Sequence, residues 1–227
     1  MDRTVLRPVQ PTYSINEIVY SRASSLKGYI EPLKIYNMEF DPSRNQYRYY
    51  FFKSIDVVSG ILPITLLESE VLSVCGALDN QIGVLSREYS DMLIKLDAHC
   101  GGELVQAADI VNPTYDKELV SPPRPRFGYN STIYLRESAE VTGVLESYRV
   151  DDIKWDRDNL QWIYYSIIRP RPEKNSTVGD RGDLTHDITL NFIEVQLCTV
   201  CEAISLAVSF LSRALSRAQS RKQSYCS

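Results

Sequence analysis

YSINEIVYSRASSLKGYIEPLKIYNMEFDPSRNQYRYY, residues 13–50, returns in altered form as FGYNSTIYLRESAEVTGVLESYRVDDIKWDRDNLQWIYY, residues 127–165. With a shift of 114, Asn16, Tyr20, Arg22 and Ser24 fall on Asn130, Tyr134, Arg136 and Ser138. One residue is then added, and Gly28, Glu31, Asp41, Gln46, Tyr49 and Tyr50 fall on Gly143, Glu146, Asp156, Gln161, Tyr164 and Tyr165. Self-similarity of this kind has to be settled before any fold is read. It divides the chain into two related halves.

The 227 residues exceed one ordinary domain and suit two copies of roughly 110. Apolar content of 44% and charged content of 24% are those of a globular chain. No stretch approaches the ~18 apolar residues of a membrane span. Met1-Asp2-Arg3-Thr4 has no apolar run behind it, so no secretory signal is expected. Five scattered cysteines, an odd set, read as free thiols in a reducing compartment. The expected location is the cytoplasm, or a particle made there. A net charge of −4 argues against a general nucleic-acid binder.

Working outward, residues 1–12 read as an extended arm. Glu17–Ser21, Gly28–Tyr36, Tyr47–Ile55 and Ile61–Leu67 read as strands, being rich in β-branched and aromatic residues and bounded by turn chemistry. Val71, Cys75, Leu78, Ile82, Leu85, Tyr89, Met92 and Leu96 then make a heptad seam on a helix that Gly101-Gly102 ends. Residues 103–126, with Ser121-Pro122-Pro123-Arg124-Pro125-Arg126, read as a semi-rigid linker. The second half repeats the order: strands at Thr132–Arg136, Gly143–Val150, Gln161–Ile168 and Ile188–Phe192. A seam at Leu197, Cys201, Ile204, Val208, Leu211, Leu215 and Ala218 follows, shifted by 126 from the first.

The order Ile-Val-Tyr, then Gly-hydrophobic-Glu, an acidic turn and an aromatic strand resembles a Tudor or Src-homology-3-like barrel over residues 13–67 and 127–192. The stretches Tyr134–Ala139 and Thr177–Arg181 also resemble uncharacterised proteins of cyanobacteria and their phages, a likeness that implies no activity. The expected class is α+β: two tandem repeats, each a small Src-homology-3-like β-barrel followed by a long heptad-patterned helix. The expected domains are repeat one at 13–102 (barrel 13–67, helix 69–98) and repeat two at 127–227 (barrel 127–192, helix 194–222). Gly28 and Gly143 are expected where a strand bends sharply.

Chemistry is sparse. His99 and His186 lie far apart, and neither a phosphate-cradling loop nor a nucleophile motif is present, so no enzyme, cofactor or metal is expected. Cys198-Thr199-Val200-Cys201 has the spacing of half a zinc site, with small buried thiols as the simpler account. Tyr20, Tyr47 and Tyr49, with Tyr134, Trp162 and Tyr164, could build cages for methylated Lys or Arg, against core packing as the simpler account. Asn130-Ser131-Thr132, Asn175-Ser176-Thr177 and Arg181-Gly182-Asp183 match modification or adhesion tripeptides, and residues 122–126 match a Src-homology-3 ligand. With no secretory signal expected the first two are set aside, and a turn in the long loop and a linker between repeats are the simpler accounts of the others.

Leu78, Ile82, Leu85, Tyr89, Ile204, Val208, Leu211 and Leu215 form the expected helix-seam interface, with the other helix of the chain or another subunit as partner. Arg213, Arg217, Arg221 and Lys222 make a basic stripe, either a solvated helix end or a contact for an acidic partner or nucleic acid. The expected function is a non-catalytic structural or assembly protein making protein–protein contacts, a component of a virus-like or other multi-subunit particle and a homo-oligomer or larger assembly. The alternative is a nucleic-acid or modified-peptide binding module of Tudor-like type.

Overall fold

In the computed structural model, residues 10–54, 61–106, 109–110, 121–168 and 187–227 are described. Arm residues 1–9, linker residues 107–108 and 111–120, and the loop 169–186 lie outside them, and with that loop Asn175-Ser176-Thr177, Arg181-Gly182-Asp183 and His186. The chain forms two compact units that are not its sequence halves. One comprises Met1–Tyr89 with Arg213–Ser227, the other Ser90–Ser212.

The first unit contains β1 (Ile18–Ser21), a single helical turn α1 (Arg22–Ser25), β2 (Pro32–Asp41), β3 (Gln46–Ser54), β4 (Ile61–Leu67), a 3₁₀ turn (Glu68–Glu70) and β5 (Val71–Leu72). The strands form one antiparallel sheet in the order β4-β3-β2-β1-β5. Strand alternation sorts the faces. Leu33 and Ile35 of β2 and Tyr49 and Phe51 of β3 point inward with Val19 and Val71 to make the core. Tyr50 and Phe52 point the other way. The β2–β3 turn is held by Asp41, whose carboxylate accepts from the Ser43 N–H at 3.0 Å and from Arg48 at 2.9 Å, while Asn45 takes the left-handed conformation.

The second unit contains β6 (Thr132–Leu135), one turn of π-helix (Ser138–Thr142), β7 (Ser147–Arg149), β8 (Asp152–Asp156), β9 (Gln161–Ile168), β10 (Ile188–Ile193), a 3₁₀ turn (Glu194–Gln196) and β11 (Leu197–Cys198). Its strands fall into two sheets, β10-β9-β8 and β11-β6-β7. The break lies at Val150–Asp151. Val150 N–H bonds the Ser131 carbonyl at 3.0 Å and Asp151 N–H the Tyr165 carbonyl at 2.8 Å, so the chain leaves one ladder for the other there. At the matching place in the first unit, β2 passes through as a single strand with a bulge between Ile35 and Asn37.

Two helices of 27 residues, α2 (Val74–Cys100) and α3 (Val200–Cys226), contribute to both units. The Gly101 and Gly102 N–H groups, at positive φ, close the end of α2 on the carbonyls of Asp97 and Leu96. A capping box opens α3: the Glu202 N–H donates to the Thr199 hydroxyl at 3.3 Å, and Thr199 N–H to the Glu202 carboxylate at 2.8 Å. In the first unit Cys75 is disulfide-bonded to Cys226, and in the second Cys100 to Cys201. The start of each helix is thus tied to the end of the other.

These findings correct the expected fold. Two tandem barrel-and-helix repeats are replaced by α+β units built on antiparallel sheets. The first sheet is open, since β4 and β5 are its edges and do not pair, and the second unit has two sheets where one barrel was expected. The compact units also cut across the halves, because the end of α3 belongs with the first β segment. Gly28 and Gly143 stand after helical turns at φ 84° and 73°, not in bent strands, and a Cβ at Gly143 would meet Phe210 at 2.9 Å. The residue added in the second half is taken up by the π-helical turn. Four of the five cysteines are paired, against the expectation of free thiols, and only Cys198 remains free, buried. Their distant sequence positions conceal the pairing that helix direction creates.

Thiol titration of the denatured, unreduced protein should find Cys198 alone. Replacing Cys75 and Cys226 together by Ser should lower unfolding free energy by about 2–5 kcal/mol, as expected for a cross-link closing a long loop. An unchanged denaturation midpoint would show that the bridge is absent or idle.

Candidate functional site

Each unit buries one tyrosine completely, Tyr49 and Tyr164, both 0% exposed. A buried phenol needs partners for its hydroxyl. Tyr49 finds Glu68 Oε1 at 3.2 Å and accepts from the Tyr13 N–H at 3.2 Å, while Thr12 N–H reaches the same Glu68 oxygen at 2.7 Å. Tyr164 finds Glu194 Oε1 at 3.2 Å, and Arg126 N–H donates both to that hydroxyl, at 3.1 Å, and to Glu194, at 3.0 Å. In both units a Tyr–Glu clip therefore holds the segment that follows a proline, Pro11 or Pro125. Burial raises the Tyr49 hydroxyl to about 12 and pushes Tyr164 up further, with the neighbouring glutamate adding to each. Burial also works against the Glu68 charge, but hydrogen bonds from Thr12, Tyr47 and Tyr49 outweigh it and hold the carboxyl below its ordinary value.

The second clip continues into a larger anchor. The Arg126 guanidinium pairs with Glu202 of the α3 capping box, the two side chains being 24% and 10% exposed. It also donates to the Leu197 carbonyl at 3.5 Å and lies over the Phe127 ring at 5.1 Å. Upstream, the Trp162 indole N–H donates to the Pro123 carbonyl at 3.1 Å, and Trp155 packs edge-on against Trp162 at 5.2 Å. The Pro-containing strap 121–126 is thereby bound to the β8–β9 hairpin and to the start of α3. Nearby, a cavity of about 580 Å³ opens between the π-helical turn, the end of β6 and β10, lined by Leu135, Arg136, Val141, Phe192 and Val195 among others.

The sequence-derived candidates are distributed as follows. Leu78, Leu85, Ile204, Val208 and Leu211 are buried, and Ile82, Tyr89 and Leu215 half-buried, within the single chain. Arg213, Arg217 and Arg221 are exposed, whereas Lys222 pairs with Asp79. The aromatic cages do not form, because Tyr49 and Tyr164 are core residues and Tyr47 packs edge-on to Phe40. Cys201 is bonded to Cys100 and burial pushes the Cys198 thiol up to about 12, helped by Glu202, so the pair cannot offer thiolates to a metal. Among the described residues no cluster of three or more His, Cys, Asp or Glu could hold a metal ion, and no helix is long and apolar enough to cross a membrane.

Glu68, Glu194 and Glu202 escaped the sequence reading, and Arg126 entered it only as the end of the motif 122–126. A signal was present: the shift of 126 that superposes the helix seams also carries Glu68 onto Glu194. Comparisons of the chain with protein-family models, curated proteins and solved structures return no match.

Tyr164→Phe should cost about 1–3 kcal/mol, because it removes the hydroxyl's bond to Glu194 and takes away the acceptor of the buried Phe127 N–H, while the Arg126 N–H keeps Glu194. Tyr49 has a folded pKa above its unfolded value, so its contribution is complete below pH 10 and is lost as pH rises toward about 12. Tyr49→Phe should accordingly flatten that part of the alkaline unfolding curve. Changing Arg213, Arg217 and Arg221 together to Gln should shift stability by less than about 1 kcal/mol, since exposed charges contribute little. A larger loss in the melting curve would mean that these arginines hold the fold.

Proposed function

We propose that the protein is a non-catalytic structural component that works through protein–protein contacts within a multi-subunit particle. The observation that carries this reading is an aromatic surface on the outer face of the first unit's sheet. Tyr36 and Phe52 stack at 3.9 Å with 14° between their planes, Tyr50 meets Tyr36 edge-on at 6.2 Å, and Phe52 is 59% exposed. Aromatic side chains of this kind anchor interfaces, because they bury much area for little lost freedom.

Two further features support it. The buried polar groups described above hold segments of the chain together. The helices are cross-linked in each unit, which suits a part that must persist rather than turn over. In this reading the particle is made in the reducing cytoplasm and its cysteines pair after it leaves, because structural disulfides persist in oxidising surroundings.

A second reading rests on Arg213, Arg217 and Arg221, exposed on one stretch of α3. A basic stripe could dock an acidic partner or nucleic acid, with affinity falling steeply as salt rises.

Native mass measurement on protein purified without nuclease addresses both readings. The expected result is a complex larger than one chain, free of nucleic acid, that Phe52→Asp dissociates without moving the thermal midpoint. A single-chain mass in the wild type would overturn the first reading. Co-purifying nucleic acid lost in the triple Arg→Gln variant would establish the second.

A further inference from the structure

The strap Ser121–Arg126 touches its neighbours in the manner of a ligand. Pro123 and Pro125 are half-buried while Pro122 and Arg124 between and before them are exposed, so one side of an extended chain is applied to the protein. A proline-rich segment enters such contacts with little freedom left to lose, and its carbonyls are free to accept because it forms no internal hydrogen bonds. Trp162 supplies the indole donor to the Pro123 carbonyl, with Trp155 beside it. Glu202 supplies a carboxylate for the arginine that ends the strap. Aromatic side chains recognise extended Pro-rich segments generally, and a carboxylate adds recognition of an arginine.

From this geometry we infer that Trp155, Trp162, Glu194 and Glu202 form a binding site for extended Pro- and Arg-containing peptide segments, which the chain fills with its own residues 121–126. The backbone N–H of Arg126 enters the Tyr164–Glu194 clip and its side chain enters the Glu202 pair, so direction and register along the site are both specified. A tethered strap has an effective concentration in the ~mM range, so a free peptide at ~μM competes poorly until the strap is displaced. The same segment presented by another protein of the particle would have to displace it first. Occupied in cis, the site is closed to other segments.

The two tryptophans of this site are the only two in the chain, so intrinsic tryptophan emission reads the site directly. The probe is a synthetic peptide of residues 119–128. It is titrated into the disulfide-bonded wild-type chain and into a variant whose residues 121–126 are replaced by Gly and Ser. The replaced variant should bind with an apparent affinity at least tenfold higher than the wild type. A peptide carrying Ala in place of Arg126 should lose at least tenfold, as should addition of Trp162→Phe to the variant. Should the strap replacement fail to fold, Pro123→Gly with Pro125→Gly in the intact chain retains Arg126 and the clip. It should still shift the emission and admit the peptide more readily than wild type. If neither variant binds the peptide more tightly than the wild type does, or if binding ignores Arg126, the strap is a linker and the inference is overturned.

Discussion

A phenol hydroxyl withdrawn from water must be given partners, and most of the architecture near each β segment follows from how that requirement is met. Tyr49 and Tyr164 are inward-facing residues of β3 and β9, and their rings are among the largest fully buried groups. Each hydroxyl reaches a glutamate on the 3₁₀ turn that follows the last long strand. That turn then delivers the chain, through two residues of strand, to the start of a long helix. The same hydroxyl takes backbone N–H groups from the segment entering the unit. One buried polar atom thus joins the entering segment, the sheet and the route to the helix. An unmet hydrogen bond there would cost more than a met one contributes, which is why all three are held together.

The helices impose the second constraint. Their seams carry apolar residues at heptad spacing, and neither could bury that stripe alone. In one unit Cys75 is joined to Cys226 and in the other Cys100 to Cys201, positions separated by 151 and 101 residues. One exception to burial lies on the outer face of the first sheet, where the half-buried Tyr36 stacks on the exposed Phe52. Such a surface is where a partner gains most.

What the sequence determined by itself was local and periodic. The seam spacing marked α2 and α3, the Gly pair marked the end of α2, and the aligned identities marked residues with special roles, such as Gly28 and Gly143 at positive φ and the buried Tyr49 and Tyr164. These follow from side-chain period and backbone sterics, which act within a few residues. Tertiary structure alone decided what depends on long-range placement. Strand alternation says which face is buried but not which edges meet, so it could not show that the first sheet stays open or that a break at Val150–Asp151 splits the second. Nor could spacing in the sequence show that Glu202 would receive Arg126, or that four scattered cysteines would pair. Cysteine pairing and ion pairing need two side chains within a few ångströms of each other, and that proximity exists only once the helices have chosen their directions.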